Sequence, residues 1–392
     1  MDKRLVSLAL GMFALGTDSY VIAGVLPEMA RSFDVDVGTA GQLTSVYAIT
    51  FALLAPTIAA VAAGMPRKTL LLSALAVFVL ANLATAVAPN FANAMLTRVA
   101  AGVGGAMFSP TATSAGAAIV PPERRGHALA IVVAGLSAAT ALGSPLGAVI
   151  GGLGDWRWTM VFVSALACVA ALGVWAFLSD IPLPPAVSLA RRLAPLADSC
   201  VVLMLATTLL AMAGIFTVYT YFAVAFDRVI HGDTLLLGGL LVLWGAAGTM
   251  ANLMAGRLID AWGSRRMVVG ALAVLVADFA LLPWSGNHLW SSAIAILAWG
   301  AAGWGILVPQ QHRMVSFNPS IAPVLLGLNS SGVFLGVTSA GVLGAIGLHA
   351  VGAQNLGYVA IVPLLLGLVA SEAASRQVRV AERAECSGRA MA

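Results

Sequence analysis

Residues 5–27 read LVSLALGMFALGTDSYVIAGVLP, a run in which Asp18 is the only charged side chain. A helix of about 20 apolar residues is long enough to cross about 30 Å of hydrocarbon. An ionised carboxylate at the centre of such a helix costs roughly 2.5–3.5 kcal/mol on insertion scales. Asp18 is therefore paired, protonated or turned towards water in a cavity. Each alternative points to a membrane protein that moves something past this position. The run follows MDKR and has no small-residue cleavage site before Pro27, so it is read as a retained first span and not as a leader.

The rest of the chain agrees. Of 392 residues, 60% are hydrophobic and 9% are charged, with a mean hydropathy of +0.97. Soluble domains carry about 25% charged residues, so lipid is the solvent here. The net charge of +4 does not point to nucleic acid, because the basic residues follow a membrane pattern instead. Cys168, Cys200 and Cys386 form neither a disulfide framework nor a metal set and read as small packing residues. His127, His231, His288, His312 and His349 are scattered singly and define no metal site.

Further apolar runs of span length recur near 40–62, 69–88, 92–117, 126–151 and 158–178, and then near 200–225, 235–255, 267–285, 289–308, 322–346 and 356–374. The expected fold is all-α, with about twelve transmembrane helices. Alternating strands of the barrel type are not seen. If the spans alternate, Lys3/Arg4, Arg67/Lys68, Arg124/Arg125, Arg191/Arg192, Arg257/Arg265/Arg266, Arg313 and the arginines from Arg376 onward share one side. Arg31, Arg157 and Arg228 fall opposite. The positive-inside rule then places both termini in the cytoplasm. The expected organisation is an N-terminal half over 1–178, a cytoplasmic linker over 179–199, a C-terminal half over 200–375 and a charged tail over 376–392.

Five stretches carry a family resemblance. GRLIDAWGSRR, residues 256–266, resembles the G-x-L-x-D-x-x-G-x-R-R loop of the major facilitator superfamily of secondary transporters. Its glycines Gly256 and Gly263 allow a tight turn, Asp260 can cap or pair at a helix end, and Arg265 and Arg266 hold the loop at the cytoplasmic surface. The family's first copy of this loop is reduced here to AAGMPRKTLLL, which lacks the aspartate. LTRVAAGVGGAM, residues 96–107, resembles the span-four signature, an arginine with a glycine four residues on. GLSAATALGSPLGAVIGG, residues 135–152, resembles the span-five signature of drug:proton antiporters, with Gly143, Pro145, Gly147 and Gly151 as a conformational hinge; generic small-residue packing is the alternative. GDWRWTMVF, residues 154–162, is similar to the W-R-x-x-F corner of that branch. GTDSYVIAGVLP, residues 16–27, is similar to the first span of bacterial drug, chloramphenicol and sugar exporters.

The resemblance implies two pseudo-symmetric six-helix halves and efflux of a hydrophobic or amphipathic drug, driven by a proton gradient with no cofactor. A sugar, nucleoside or other metabolite is the alternative cargo. A non-transporting sensor or scaffold is a remote alternative, disfavoured because there is no sizeable soluble domain. No phosphate-binding loop, zinc helix or nucleophile turn marks an enzyme. The expected setting is a bacterial inner membrane, multi-pass, with small-molecule substrate, protons and lipid as the partners of a monomer.

Depth arithmetic adds a site. At about 1.5 Å per residue, Asp18 lies about 20 Å along the first span, and Arg98 about 9 Å below the outer surface. Both sit at a similar level. They are expected to form a proton switch or, alternatively, a permanent brace; a snorkelling Arg98 is a third option. Burial favours the neutral form of a carboxyl group and a neighbouring guanidinium favours the charged form, so a small rearrangement could load or release a proton. Asp278, in span nine, is expected to hydrogen-bond to a neighbouring helix in preference to relaying protons. Tyr20, Tyr47, Phe216, Tyr219, Trp244, Trp304 and Asn329 are candidates to line the substrate cavity, where aromatic walls suit planar amphipathic solutes.

Overall fold

The computed structural model describes residues 2–179, 181 and 188–390. Among the described residues, twelve long helices carry the fold. The first six are α1 (Lys3–Phe33), α2 (Val37–Val61), α3 (Arg67–Ala86), α4 (Phe91–Ala118), α5 (Arg125–Leu153) and α6 (Trp156–Phe177). The second six are α7 (Ser199–Tyr219), α8 (Thr234–Trp262), α9 (Ser264–Ser285), α10 (Leu289–Phe317), α11 (Ala322–Val351) and α12 (Leu356–Ala390). Eleven are long and apolar enough to cross a membrane. The exception is α4, whose hydropathy is diluted by Arg98 and by its polar and glycine residues. Large apolar side chains such as Leu80, Leu96, Trp175 and Leu253 are exposed on the outer surface of the bundle, as lipid-facing positions require.

Within the first half α1 packs on α5 and α6, and α3 on α4 and α6; in the second, α7 packs on α11 and α12, and α9 on α10 and α12. The halves meet along α2–α11 and α5–α8. These contacts gather at the end away from the termini, here called the outer end. There, Gln42 Nε2 donates to Gly341 O (3.2 Å) and Ser45 Oγ to Thr338 O (3.2 Å), and Tyr221 Oη lies 3.3 Å from Gly38 O. A Cβ on Gly245 of α8 would strike the Thr140 carbonyl of α5. At the opposite end Gly126 of α5, Gly256 of α8 and Gly327 of α11 have open space around them. The halves are thus closed outside and apart inside, an inward-facing arrangement.

Several boundaries differ from the sequence expectation for identifiable reasons. The span expected over 200–225 ends at Tyr219, and short helices Phe222–Ala225 and Asp227–Ile230 follow. Tyr221 is drawn away by tertiary bonds, its hydroxyl donating to Gly341 O at 2.7 Å. Helix α10 runs past the expected 308 to Phe317, with a break at Ile306; Pro309 has no N–H to offer the carbonyl four residues back. In α5 the same deficiency at Pro145 is taken up by a π-helical segment, Ala139–Gly143. The chain expected to leave the membrane after 374 stays helical through Ala390, with Ser375 Oγ and Arg379 Nε bonding back to carbonyls four residues earlier. The linker expected over 179–199 lies partly outside the described residues, at 180 and 182–187. Its described part forms the short helix Leu189–Leu193, which packs against α2 and α11. The tail positions 391–392 also lie outside the described residues.

Candidate functional site: a buried ion pair beside an aromatic cluster

Asp18 of α1 and Arg98 of α4 meet in a bidentate pair, with Arg98 Nη1 2.8 Å from Asp18 Oδ1 and Nη2 2.9 Å from Oδ2. Both side chains are 0% exposed, so Arg98 does not snorkel. A pair this dry depends on good geometry and on further hydrogen bonds to its remaining polar atoms. Asn82 of α3 supplies the third contact, its Oδ1 accepting from Arg98 Nη1 at 3.3 Å while its Nδ2 donates to Phe78 O at 3.1 Å. The Arg98 guanidinium also lies over the Tyr47 ring of α2, 4.8 Å from its centroid. Arg98 Nε is buried without an acceptor. The pair therefore gathers side chains from all of the first four helices.

Glycines in α4 make that approach possible. A Cβ on Gly102 would sit 2.8 Å from Tyr47 O, one on Gly105 2.8 Å from Tyr47 Oη, and one on Gly104 2.9 Å from Phe78 Cβ. Helix α4 consequently lies against the backbones of α2 and α3, carrying Arg98 inward to the carboxylate.

The residues expected to form a hinge pack on the same helix as Asp18. Cβ atoms on Gly143 and Gly147 would strike Thr17 and Val21 respectively, and one on Gly151 would come 2.6 Å from Val25 Cγ1. Thr17, Val21 and Val25 form one stripe of α1, and Thr17 immediately precedes the acid. Ser144 and Pro145 of α5 are also buried, and Thr159 Oγ1 of α6 donates to Gly147 O at 2.8 Å.

Five of the seven expected lining residues form one cluster between the halves. Tyr20 of α1 contacts Phe216 (6.0 Å between centroids), Tyr219 (6.0 Å) and Trp304 (5.7 Å), while Trp244 packs on Tyr219 at 4.4 Å and on Trp304 at 5.6 Å. Tyr219 Oη donates to Tyr20 O across the interface (3.2 Å) and lies 3.4 Å from Ser144 Oγ. The other two residues lie elsewhere. Tyr47 belongs to the ion pair and touches Phe334 of α11 (6.4 Å). Asn329 is buried and accepts from Thr208 Oγ1 of α7 at 2.7 Å.

Two further expectations are corrected. Asp278 is half-buried on α9 and has no hydrogen-bond or ion-pair partner among the described residues; Val274 and Leu281, one turn to either side, are exposed. Asp260 is exposed and caps nothing; α8 ends instead at Gly263, where φ is +80°, a conformation that suits glycine. In that loop Gly256 and Arg266 are exposed, and Arg265 grips Glu372 of α12 with two bonds, at 3.0 and 2.6 Å.

Sequence reading missed Asn82, Phe334, Trp299 and Tyr221. Asn82 had a readable signal, an amide alone in an apolar span. The aromatic residues had none, because nothing local says which ring meets which.

Comparison with known proteins agrees with this architecture. The sequence profile described as Major Facilitator Superfamily matches residues 8–321. The chain is 29% identical to Inner membrane transport protein YdhP of Escherichia coli over 371 residues, covering 94% of each. It is 27% identical to a Probable sugar efflux transporter of Helicobacter pylori over 367 residues, covering 94% of this chain and 93% of that one. Among solved structures, a bacterial homologue of the human lysosomal transporter Spinster, in an inward-facing and occupied conformation, superposes with a TM-score of 0.74 at 16% identity, covering 95% and 96% of the two chains. The human organic anion transporter MFSD10 superposes at 0.71 with 19% identity, covering 94% and 99%. The chain, a multi-pass helical membrane protein, belongs to the major facilitator superfamily.

Proposed function

We propose that this protein exports a small amphipathic solute across a bacterial inner membrane in exchange for protons, with Asp18 as the proton carrier. The observation that carries this reading is the dehydrated Asp18–Arg98 pair, placed on the helix against which the α5 glycines pack. In the inward-facing arrangement the pair is formed, the condition expected after a proton has left to the cytoplasm. Substrate then enters from the inside. In the outward-facing arrangement a proton arriving at Asp18 neutralises the carboxylate and frees Arg98, leaving its guanidinium to Asn82 and the Tyr47 ring. Substrate leaves before the pair reforms. At 100 mV each net charge crossing adds about 2.3 kcal/mol to export. The gradient suffices as the driving force, so no cofactor is called for, and the protein works as a monomer.

Hydrophobic drugs of the chloramphenicol kind fit the antiporter-like fifth span, Gly143 to Gly151. A sugar or related metabolite is the second reading, since the Helicobacter pylori relative is a probable sugar efflux transporter.

The test uses reconstituted vesicles with an imposed pH gradient. Asp18→Asn keeps size and hydrogen bonding but does not titrate, so gradient-driven accumulation of substrate is lost while downhill exchange persists. Accumulation by this variant at the parental rate would show Asp18 to be a brace for Arg98 and would move the proton carrier elsewhere, with Asp278 first in line.

A further inference from the structure

The first turn of α3 carries a charge that nothing in the chain answers. Arg67 is only 9% exposed, yet its guanidinium has no hydrogen-bond or ion-pair partner among the described residues. None of its nitrogens is fully enclosed, so an anion can reach them. Arginine is almost never buried this deeply unless it is paired, because an unpaired charge gives up hydration for nothing in return. Arg98 recovers that cost through Asp18. Arg67 does not.

The surroundings add only positive charge. The stretch VAAGMPRKTL, residues 61–70, holds no carboxylate. Among the described residues the charged group that bears on Arg67 is Arg192 of the linker, whose Nη2 donates to Ala59 O of α2 at 3.3 Å. Helix α3 itself opens with no side-chain cap and no acidic residue in its first turn, so its leading amides present the positive end of the helix dipole. Two guanidinium groups and an uncapped helix start repel one another unless an anion joins them. A phosphate group suits all three, because guanidinium forks and helix-start amides both bind its oxygens.

The neighbouring surface points to a lipid as the source of that phosphate. The site lies at the cytoplasmic end of the bundle, beside the tight turn Ala62–Gly64. Val61 and Met65 flank that turn and are exposed, as are Leu189, Leu193 and Leu196 of the linker. Leu189 and Leu193, four residues apart, share one face of the short helix that also carries Arg191 and Arg192. Leucines beside arginines are the composition of a segment that lies in the headgroup layer. Free phosphate would leave these apolar side chains in water, whereas a phospholipid covers them with its acyl chains.

We propose that Arg67, Arg192 and the first turn of α3 form a binding site for the phosphate of an anionic phospholipid from the cytoplasmic leaflet, which ties the linker to the α2–α3 turn. The site is separate from the Asp18–Arg98 pair and from the aromatic cluster, and does not depend on the identity of the cargo.

The full-length protein is stripped of lipid in detergent and titrated with phosphatidylglycerol, or with phosphatidylcholine of the same acyl chains, and bound lipid is counted by native mass spectrometry. Phosphatidylglycerol is retained, and the zwitterionic lipid binds about tenfold more weakly. Arg67→Gln and Arg192→Gln each keep a polar side chain and remove one positive charge, so each weakens phosphatidylglycerol binding about tenfold. Arg257→Gln, which removes an exposed arginine at the cytoplasmic end of the other half, leaves binding unchanged. Thermal unfolding confirms that the variants are folded, and phosphatidylglycerol raises the midpoint of the parent and of Arg257→Gln but not that of Arg67→Gln. Should Arg67→Gln fail to fold, Arg192→Gln, at a half-buried position, carries the same test. Equal retention of the two lipids, parental affinity in the folded variants, or an equal loss in Arg257→Gln overturns the site. Inorganic phosphate that stabilises the lipid-free protein as much as phosphatidylglycerol does overturns it as a lipid site.

Discussion

Arg98 holds Asp18 with two parallel bonds, at 2.8 and 2.9 Å, in a place neither lipid nor water reaches. Removing one member leaves the other charge alone in the dry interior, a change that costs about 3–5 kcal/mol. Asp18→Ala and Arg98→Ala are each expected to lower the thermal unfolding midpoint in detergent. The double variant Asp18→Leu/Arg98→Met should recover most of that loss while remaining unable to accumulate substrate. If the double variant is no more stable than the two single ones, the pair is not an isolated charge couple.

Tyr221 Oη donates to Gly341 O and reaches Gly38 O, fastening the outer ends of α2 and α11. Tyr221→Phe removes a hydroxyl worth about 0.5–1.5 kcal/mol, so the outward-open population should rise by up to about tenfold. Labelling of Thr338→Cys by an impermeant thiol reagent applied from outside checks this, since Thr338 lies beneath that closure and should react faster in the Tyr221→Phe background.

Gly147 has no room for a side chain, because a Cβ would lie 2.6 Å from Val21 Cγ2. Gly147→Ala should slow export several-fold in a protein that still elutes as a single species, and Gly147→Leu should abolish export. Gly239→Ala, at a position with open space on α8, serves as the control and should transport normally.

Asp36 caps α2 at the outer surface. The hydroxyl and amide of Thr39 bond its carboxylate and hold it below the ordinary carboxylate range, with burial opposing weakly and His349, 3.6 Å away, assisting. A depressed folded-state value means that the stabilisation is complete above the unfolded value, about 3.9, and is lost as pH falls through the lower folded value. Asp36→Ala should therefore cost about 0.5–2 kcal/mol at pH 7, and the difference from the parent should shrink steadily below about pH 4. Thermal melts across that range provide the measurement.

The sequence by itself determined what depends on position along one helix. Apolar runs fixed the spans because hydrocarbon admits only helices that meet their own hydrogen bonds. Basic loops fixed the sidedness, and a rise of about 1.5 Å per residue put Asp18 and Arg98 at one level. The glycines of α4 and α5 also announced close packing. What depends on rotation about the helix axis was left to the tertiary structure, because a helix's neighbours come from residues far away in the chain. Only packing could turn Asn82 towards Arg98, lay Tyr47 beneath that guanidinium instead of in the aromatic cluster, and bring Tyr20 against Phe216 and Trp304. Only packing could leave Asp278 half-buried without a hydrogen-bond or ion-pair partner among the described residues. Depth can be read along a chain, but which side chains share that depth is decided by how the helices pack.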